Sequence, residues 1–295
     1  MDMKSLLLSF AKPFKIPSFW LLALVVALTA IYLSLIWRIK DFSHLGMSLI
    51  FGTAVFSLLW EKRHNWQRET TIIPSVVGGI LITLFLWRSA TATDINFLPS
   101  FPQYLLPLRL LPLIGCLAIG LLASGFRGLK QYWQALIILF ILGIKVLIYP
   151  LIDPSAIVAK FSSLLLMYLG FDVSIQEEKI ILPAGGITVL QDCSGLESML
   201  YLFGLAVIFL FMFPLANWTK RILVLMAAIL LGFAINGVRV AFLAALVASR
   251  HQKAFTYWHI EGGSLIFGGL SILAFGLFCL LLLQHEELQG SNNNS

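Results

Sequence analysis

Apolar residues run through this chain in long blocks, separated by short clusters of charged and polar residues. A block of roughly 18 or more apolar residues is long enough to cross a bilayer as a helix. Eight such blocks are found, at about 19–37, 43–60, 71–87, 110–126, 132–151, 195–216, 222–248 and 263–284. The pattern predicts an all-α polytopic membrane protein with about eight transmembrane helices. The first block follows Lys4, Lys12 and Lys15, but its length and the spans behind it make it an anchor, not a cleaved signal.

Two stretches break this rhythm. Residues 94–109 contain Pro99, Pro102 and Pro107 and end at Arg109, a composition that favours an ordered outer loop over a helix. Residues 154–170 are apolar but carry Lys160, Ser162 and Ser163, which suits an interfacial or re-entrant helix better than a full span. From Phe171 to Leu190, β-branched residues flank Glu177, Glu178 and Lys179 and then Pro183 to Gly186, predicting a small extracytoplasmic hairpin. Residues 1–285 are thus expected to form a single transmembrane domain, and 286–295 a disordered polar tail.

Composition agrees with the span pattern. The chain has 295 residues, 59% hydrophobic and 12% charged, which leaves no room for a large soluble domain. Basic clusters at Lys62 and Arg63 with Arg68, at Arg127 and Lys130, and at Lys220 and Arg221 fall on one side if both termini are cytoplasmic. These anchoring charges account for much of the formal charge of +6, so no nucleic-acid partner is implied. Trp20, Trp37, Trp60, Trp87, Trp218 and Trp258 stand near predicted span ends, as an interfacial aromatic belt requires. The three cysteines have neither disulfide nor metal-ligand spacing, and no metal or cofactor is expected. Cys116 and Cys279 lie inside apolar blocks and read as small hydrophobes; Cys193 does not.

Cys193 stands in Asp192-Cys193-Ser194-Gly195, just before a span. Ser194 with Glu197 three residues later has the pattern of a capping box, which would place the thiol at a helix start where a thiolate is favoured. Gly195 would let another chain approach closely. Arg239 lies inside a span, where an arginine costs at least roughly 2.5 to 3.5 kcal/mol and needs a partner or a polar cavity. Asn236, one turn earlier, shares its helix face. Arg239 is eleven residues before Arg250, about 16 Å along a helix, so the site is either recessed or on a projecting helix. His259 lies before the last span on the same side as Cys193 and titrates near ambient pH. His251 is its nearest competitor, while His44 reads as a membrane-flank residue and Lys145 as one that snorkels outward.

Taken in order, Asp192-Cys193-Ser194-Gly195-Leu196, Asn236-Gly237-Val238-Arg239-Val240 and His259 followed by Gly262 and Gly263 resemble the exosortase/archaeosortase family of multipass membrane cysteine transpeptidases. The specific signal covers about residues 183–270, and the long insertion before the cysteine points to a subfamily, a cyanobacterial type being one candidate. The resemblance implies Cys193 as nucleophile, Arg239 as oxyanion stabiliser and His259 as general acid and base, with Asn236, Ser194, Gly195 and Glu197 in support. It implies as substrates exported, membrane-anchored proteins bearing a C-terminal sorting signal: a Pro-Glu-Pro type motif (PEP-CTERM), a transmembrane helix and a basic cluster. Cleavage would pass through a thioester, coupled to transfer onto a surface glycan or lipid. The site would face outward from the plasma membrane.

Two other classes compete with this reading. A transporter or flippase would use Arg239 for an anionic lipid or solute, but no internal repeat is found and no acidic residue lies well inside a span. A non-catalytic membrane factor for exported polysaccharide would leave Cys193 replaceable by serine.

Overall fold

The computed structural model describes residues 15–63, 66–67, 69–92, 106–215, 217–260 and 262–292. They pack as two compact units with the boundary between Val146 and Leu147, inside the stretch expected to be a single domain. Among the described residues, six helical stretches are long and apolar enough to cross a membrane, against the eight expected. The difference lies in two predicted spans, 132–151 and 195–216, whose helices are shorter.

In the first unit, α1 (Ser18–Ile39), α2 (Phe42–Glu61) and α3 (Ile72–Thr91) each run 20 to 22 residues. The next apolar stretch, Leu108–Gly143, is 36 residues long but is not one rod. Gly125, at φ 62° and ψ −172°, interrupts α4 (Leu111–Gly128), and α5 (Trp133–Gly143) runs back beside it. Gly143 ends so close to the start of the hairpin that a Cβ there would sit 2.8 Å from the Arg109 carbonyl oxygen. With 11 residues, α5 spans only about 16 Å.

Two buried polar contacts in this unit join separate elements. Arg109 is buried and donates to Asp41 Oδ2 at 2.8 Å, and the Tyr32 hydroxyl shares a 2.6 Å hydrogen bond with His44 Nε2. His44 is therefore a core residue and not the flank residue expected, because α1 supplies a hydroxyl to meet its ring. Lys145 is likewise buried instead of snorkelling. Of the predicted loop at 94–109, residues 94–105 lie outside the described residues, and Leu106–Leu110 forms a 3-10 turn.

The second unit begins with α6 (Ser155–Tyr168), 14 residues and about 21 Å long. Its buried face joins Ser155, Ser162 and Ser163 with Val158, Ala159 and Leu166, while Ile157, Leu164 and Met167 are exposed. An apolar outer face suits lipid, and the serines let α6 approach α8 (Trp218–Ala248) closely. Ser162 donates to the Gly237 carbonyl at 2.9 Å, and Phe161 lies against Gly237, where a Cβ would come 2.2 Å from the ring. Gly237→Ala is therefore expected to lower stability by about 1–3 kcal/mol. Thermal unfolding in detergent checks this, and Phe161→Ala in the same background should restore part of the loss.

Strands β1 (Ser174–Gln176), β2 (Lys179–Leu182) and β3 (Gly185–Thr188) follow as an antiparallel meander. The single hairpin expected is thus a three-stranded sheet, because both links are two-residue turns: Gln176 pairs with Lys179, and Leu182 with Gly185. Glu177 takes the first turn at φ 54°. Ile180, Leu182 and Val189 then close a core with Val158, Ala159 and Leu166 of α6 and Val240, Ala241 and Ala244 of α8.

The chain continues into α7 (Leu196–Met212), α8, α9 (Gln252–Ile260) and α10 (Gly263–Asn292). At 17 residues, α7 is the shortened form of the span expected at 195–216. A second core joins α7, α8 and α10 through Leu202, Ala206, Val224, Ala228 and Phe275. Lys220 pairs with Glu286, and α10 runs on as helix to Asn292, where a disordered tail from residue 286 was expected. Residues 293–295 lie outside the described residues.

Candidate active site

Cys193 is carried by a 3-10 turn, Gln191–Cys193, set between β3 and α7. The turn is stitched internally: the Cys193 N–H donates to the Leu190 carbonyl at 2.8 Å and the Ser194 N–H to the Gln191 carbonyl at 3.2 Å. The Ser194 hydroxyl donates to that same Gln191 carbonyl at 2.6 Å. A second anchor comes from outside, where Gln191 Nε2 donates to the carbonyls of Tyr149 (2.5 Å) and Ile152 (3.1 Å). The Tyr149 side chain is hydrogen-bonded to Asp192.

The expected capping box does not form. The residue that caps α7 is Gly195, with no side-chain cap bond, and the Ser194 hydroxyl is turned back into the 3-10 turn. Glu197 accepts the Tyr201 hydroxyl at 2.6 Å, one turn along the same helix. The reason is Gly195 itself: its φ of 76° swings the chain so that glycine, not serine, meets the first helical N–H groups. A side chain is excluded there on a second ground, since a Cβ would stand 2.5 Å from Asn236 Cγ.

From α8, Asn236 and Arg239 reach two different backbones. Asn236 is buried and donates from Nδ2 to the Cys193 carbonyl at 3.0 Å. Arg239 donates from a terminal nitrogen to the His259 carbonyl at 3.3 Å, and its Nε is buried without a hydrogen-bond partner.

His259 arrives because the chain doubles back. The N–H of Arg250 bonds to the Val247 carbonyl and that of His251 to the Leu246 carbonyl, the Schellman closure of a helix, with Arg250 at φ 57°. Helix α9 then returns alongside α8. Its nine residues cover about 13 Å, matching the nine-residue rise from Arg239 to the end of α8. His259 is thereby carried back to the level of Arg239, nine residues short of the end of α8. Trp258 packs edge-on against Phe242 of α8 and Phe267 of α10, fixing α9 in place. Gly263 allows the tight entry into α10, since a Cβ there would lie 2.4 Å from Trp258 Cα. His251 is spent in the turn, and Glu261 lies outside the described residues.

The outcome is that Cys193 Sγ and His259 Nε2 stand 3.4 Å apart. Of the residues singled out in the sequence, Cys193, Asn236, Arg239, His259 and Gly195 converge; Ser194 shapes the turn, and Glu197 faces Tyr201. Tyr149 and Gln191 add a brace that no local motif announces. Among the described residues, no group of three His, Cys, Asp or Glu side chains could hold a metal ion.

Burial pushes the Cys193 thiol above its ordinary 9.0; the Asp192 carboxylate adds to this, and the Arg239 guanidinium opposes it. Burial, and then Arg239, hold the His259 imidazole below 6.5. Both shifts favour the neutral forms of the thiol and the imidazole. Alkylation of Cys193 by iodoacetamide should accordingly be slow through neutral pH and rise only above pH 9. A plateau already reached below pH 7 would show a resting thiolate instead.

These features define a helical membrane protein with a thiol, an imidazole and a guanidinium gathered at one site. The sequence pattern of the transmembrane exosortases matches residues 36–276, and the chain belongs to that family. Searches of curated proteins and of solved structures gave no match.

Proposed function

We propose that this protein is a membrane-embedded cysteine protease or transpeptidase that removes a C-terminal sorting signal from exported proteins. The observation that carries this reading is the 3.4 Å approach of Cys193 Sγ to His259 Nε2, beside the half-buried Arg239, whose Nε is buried with no hydrogen-bond partner. Cys193 Sγ attacks the scissile carbonyl carbon and its proton passes to His259 Nε2. The backbone N–H groups of Cys193 and Ser194 are committed to the 3-10 turn, so the oxyanion falls to Arg239. Collapse breaks the C–N bond, the imidazolium protonates the leaving amine, and a thioester remains on Cys193. An acceptor then gives its proton to Nε2, attacks the thioester and frees the thiol. That acceptor is a hydroxyl of a surface glycan or lipid, or water. Membership of the exosortase family and the membrane-spanning helices support a membrane-anchored substrate.

The test is co-expression with a tagged secreted protein carrying a Pro-Glu-Pro type signal, followed by immunoblotting at matched membrane levels. Shortening with wild type alone, and not with Cys193→Ala, is the expected result. Equal shortening with both would remove Cys193 from the chemistry.

A further inference from the structure

One turn of α8 holds both partners of the thiol–imidazole pair by their backbones. Asn236 binds the Cys193 carbonyl at 3.0 Å, and Arg239 binds the His259 carbonyl at 3.3 Å. Neither Cys193 nor His259 sits on α8; each comes from its own short segment, the Gln191–Cys193 turn and the end of α9. The spacing between Sγ and Nε2 is thus set by the spacing of two α8 side chains one turn apart. We infer that Asn236 is a positioning residue for the nucleophile, its amide fixing the Cys193 carbonyl so that Sγ points at His259. This rests on the reading of Cys193 as the nucleophile.

Three observations make Asn236 a latch and not a filler. It is 5% exposed, and its amide reaches across to a backbone carbonyl 43 residues away in sequence. The chain meets it with glycine at Gly195, where any Cβ would collide with the amide. Finally, α8 is itself held in rotation on the opposite element, since Ser162 binds the carbonyl of Gly237, the residue directly after Asn236. An amide so placed is aimed by helix packing and not by solvent.

The experiment uses the full chain in detergent or proteoliposomes with two variants, Asn236→Ala and the isosteric Asn236→Asp, which keeps the shape but loses the donor. Two readouts are taken. Reporter processing should fall about 100-fold in kcat with KM within about threefold of wild type, the size expected for misplacing a reacting group by roughly 1 Å. Alkylation of Cys193 at pH 8, followed by peptide mass spectrometry, should become about tenfold faster as the released turn opens the thiol to water. Cys116 and Cys279, distant in sequence and inside apolar helices, report on global unfolding in the same sample and should label as in wild type.

Processing within twofold of wild type in both variants would overturn the inference. So would unchanged labelling of Cys193, and this arm needs no substrate, so it decides on Asn236 even if the reporter is never cleaved. If Asn236→Ala also exposes Cys116 or Cys279, the aspartate variant decides.

Discussion

Replacement of Cys193 by alanine is expected to abolish processing of a C-terminal signal while the protein accumulates in the membrane at its normal level. The turn that carries Cys193 is held by backbone and by the side chains of Gln191, Ser194 and Asn236, none of which needs the thiol. The side chain itself contacts His259 across 3.4 Å, a contact of chemistry more than of folding. Loss of the nucleophile from a site whose members act as a unit costs roughly 10⁴- to 10⁶-fold. Cys193→Ser should also be defective, because a hydroxyl beside the same neutral imidazole is a far weaker nucleophile than a thiol. Immunoblotting of reporter and enzyme in the same membranes checks both halves of the expectation. A silent serine variant would favour a non-catalytic membrane factor.

Arg239→Gln has the second largest expected effect, a fall of about 10²- to 10³-fold in the rate of acyl-enzyme formation. The residue has two tasks in one group: a terminal nitrogen caps the His259 carbonyl, and the buried Nε stands free for an oxyanion. Glutamine keeps a donor for the carbonyl but has no charge. Arg239→Lys should not rescue the rate, because an ammonium lacks the rigid planar fork that holds one N–H on the His259 carbonyl while aiming another at a developing oxyanion. Single-turnover measurements with a reporter separate this from binding: the rate falls while half-saturation moves little. A variant with weakened binding and an unchanged rate would instead assign Arg239 to substrate capture.

The helical membrane architecture was legible because spanning segments are written in hydropathy, which needs no knowledge of partners. The break after Gly125 was legible as well, because Arg127 and Lys130 separate the apolar blocks at 110–126 and 132–151; what hydropathy could not show is that the second block yields a helix of only 11 residues. The packing of α6 was not legible either: Ser162 is buried and bonds the Gly237 carbonyl of α8, a contact that tertiary packing sets and no local pattern announces. At the site, Cys193, Arg239 and His259 stood out because a thiol, an intramembrane charge and an imidazole are unusual company in such a chain. The capping box failed because the same Ser and Glu spacing serves two local structures, and Gly195 chose the other. Helix α9 went unseen because nine residues are too few for periodicity to resolve. Yet α9 is what brings His259 down to Arg239. Tyr149 lies 43 positions before Asp192, and no local pattern connects them.

The central claim, that Cys193 becomes acylated by its substrate, is tested most directly by peptide mass spectrometry of enzyme quenched in acid during turnover of a reporter. The account predicts a Cys193 peptide carrying the N-terminal side of the cleaved reporter, released by hydroxylamine and absent in Cys193→Ala. Reporter cleavage with Cys193 unmodified at every time point, and undiminished in Cys193→Ala, would contradict it.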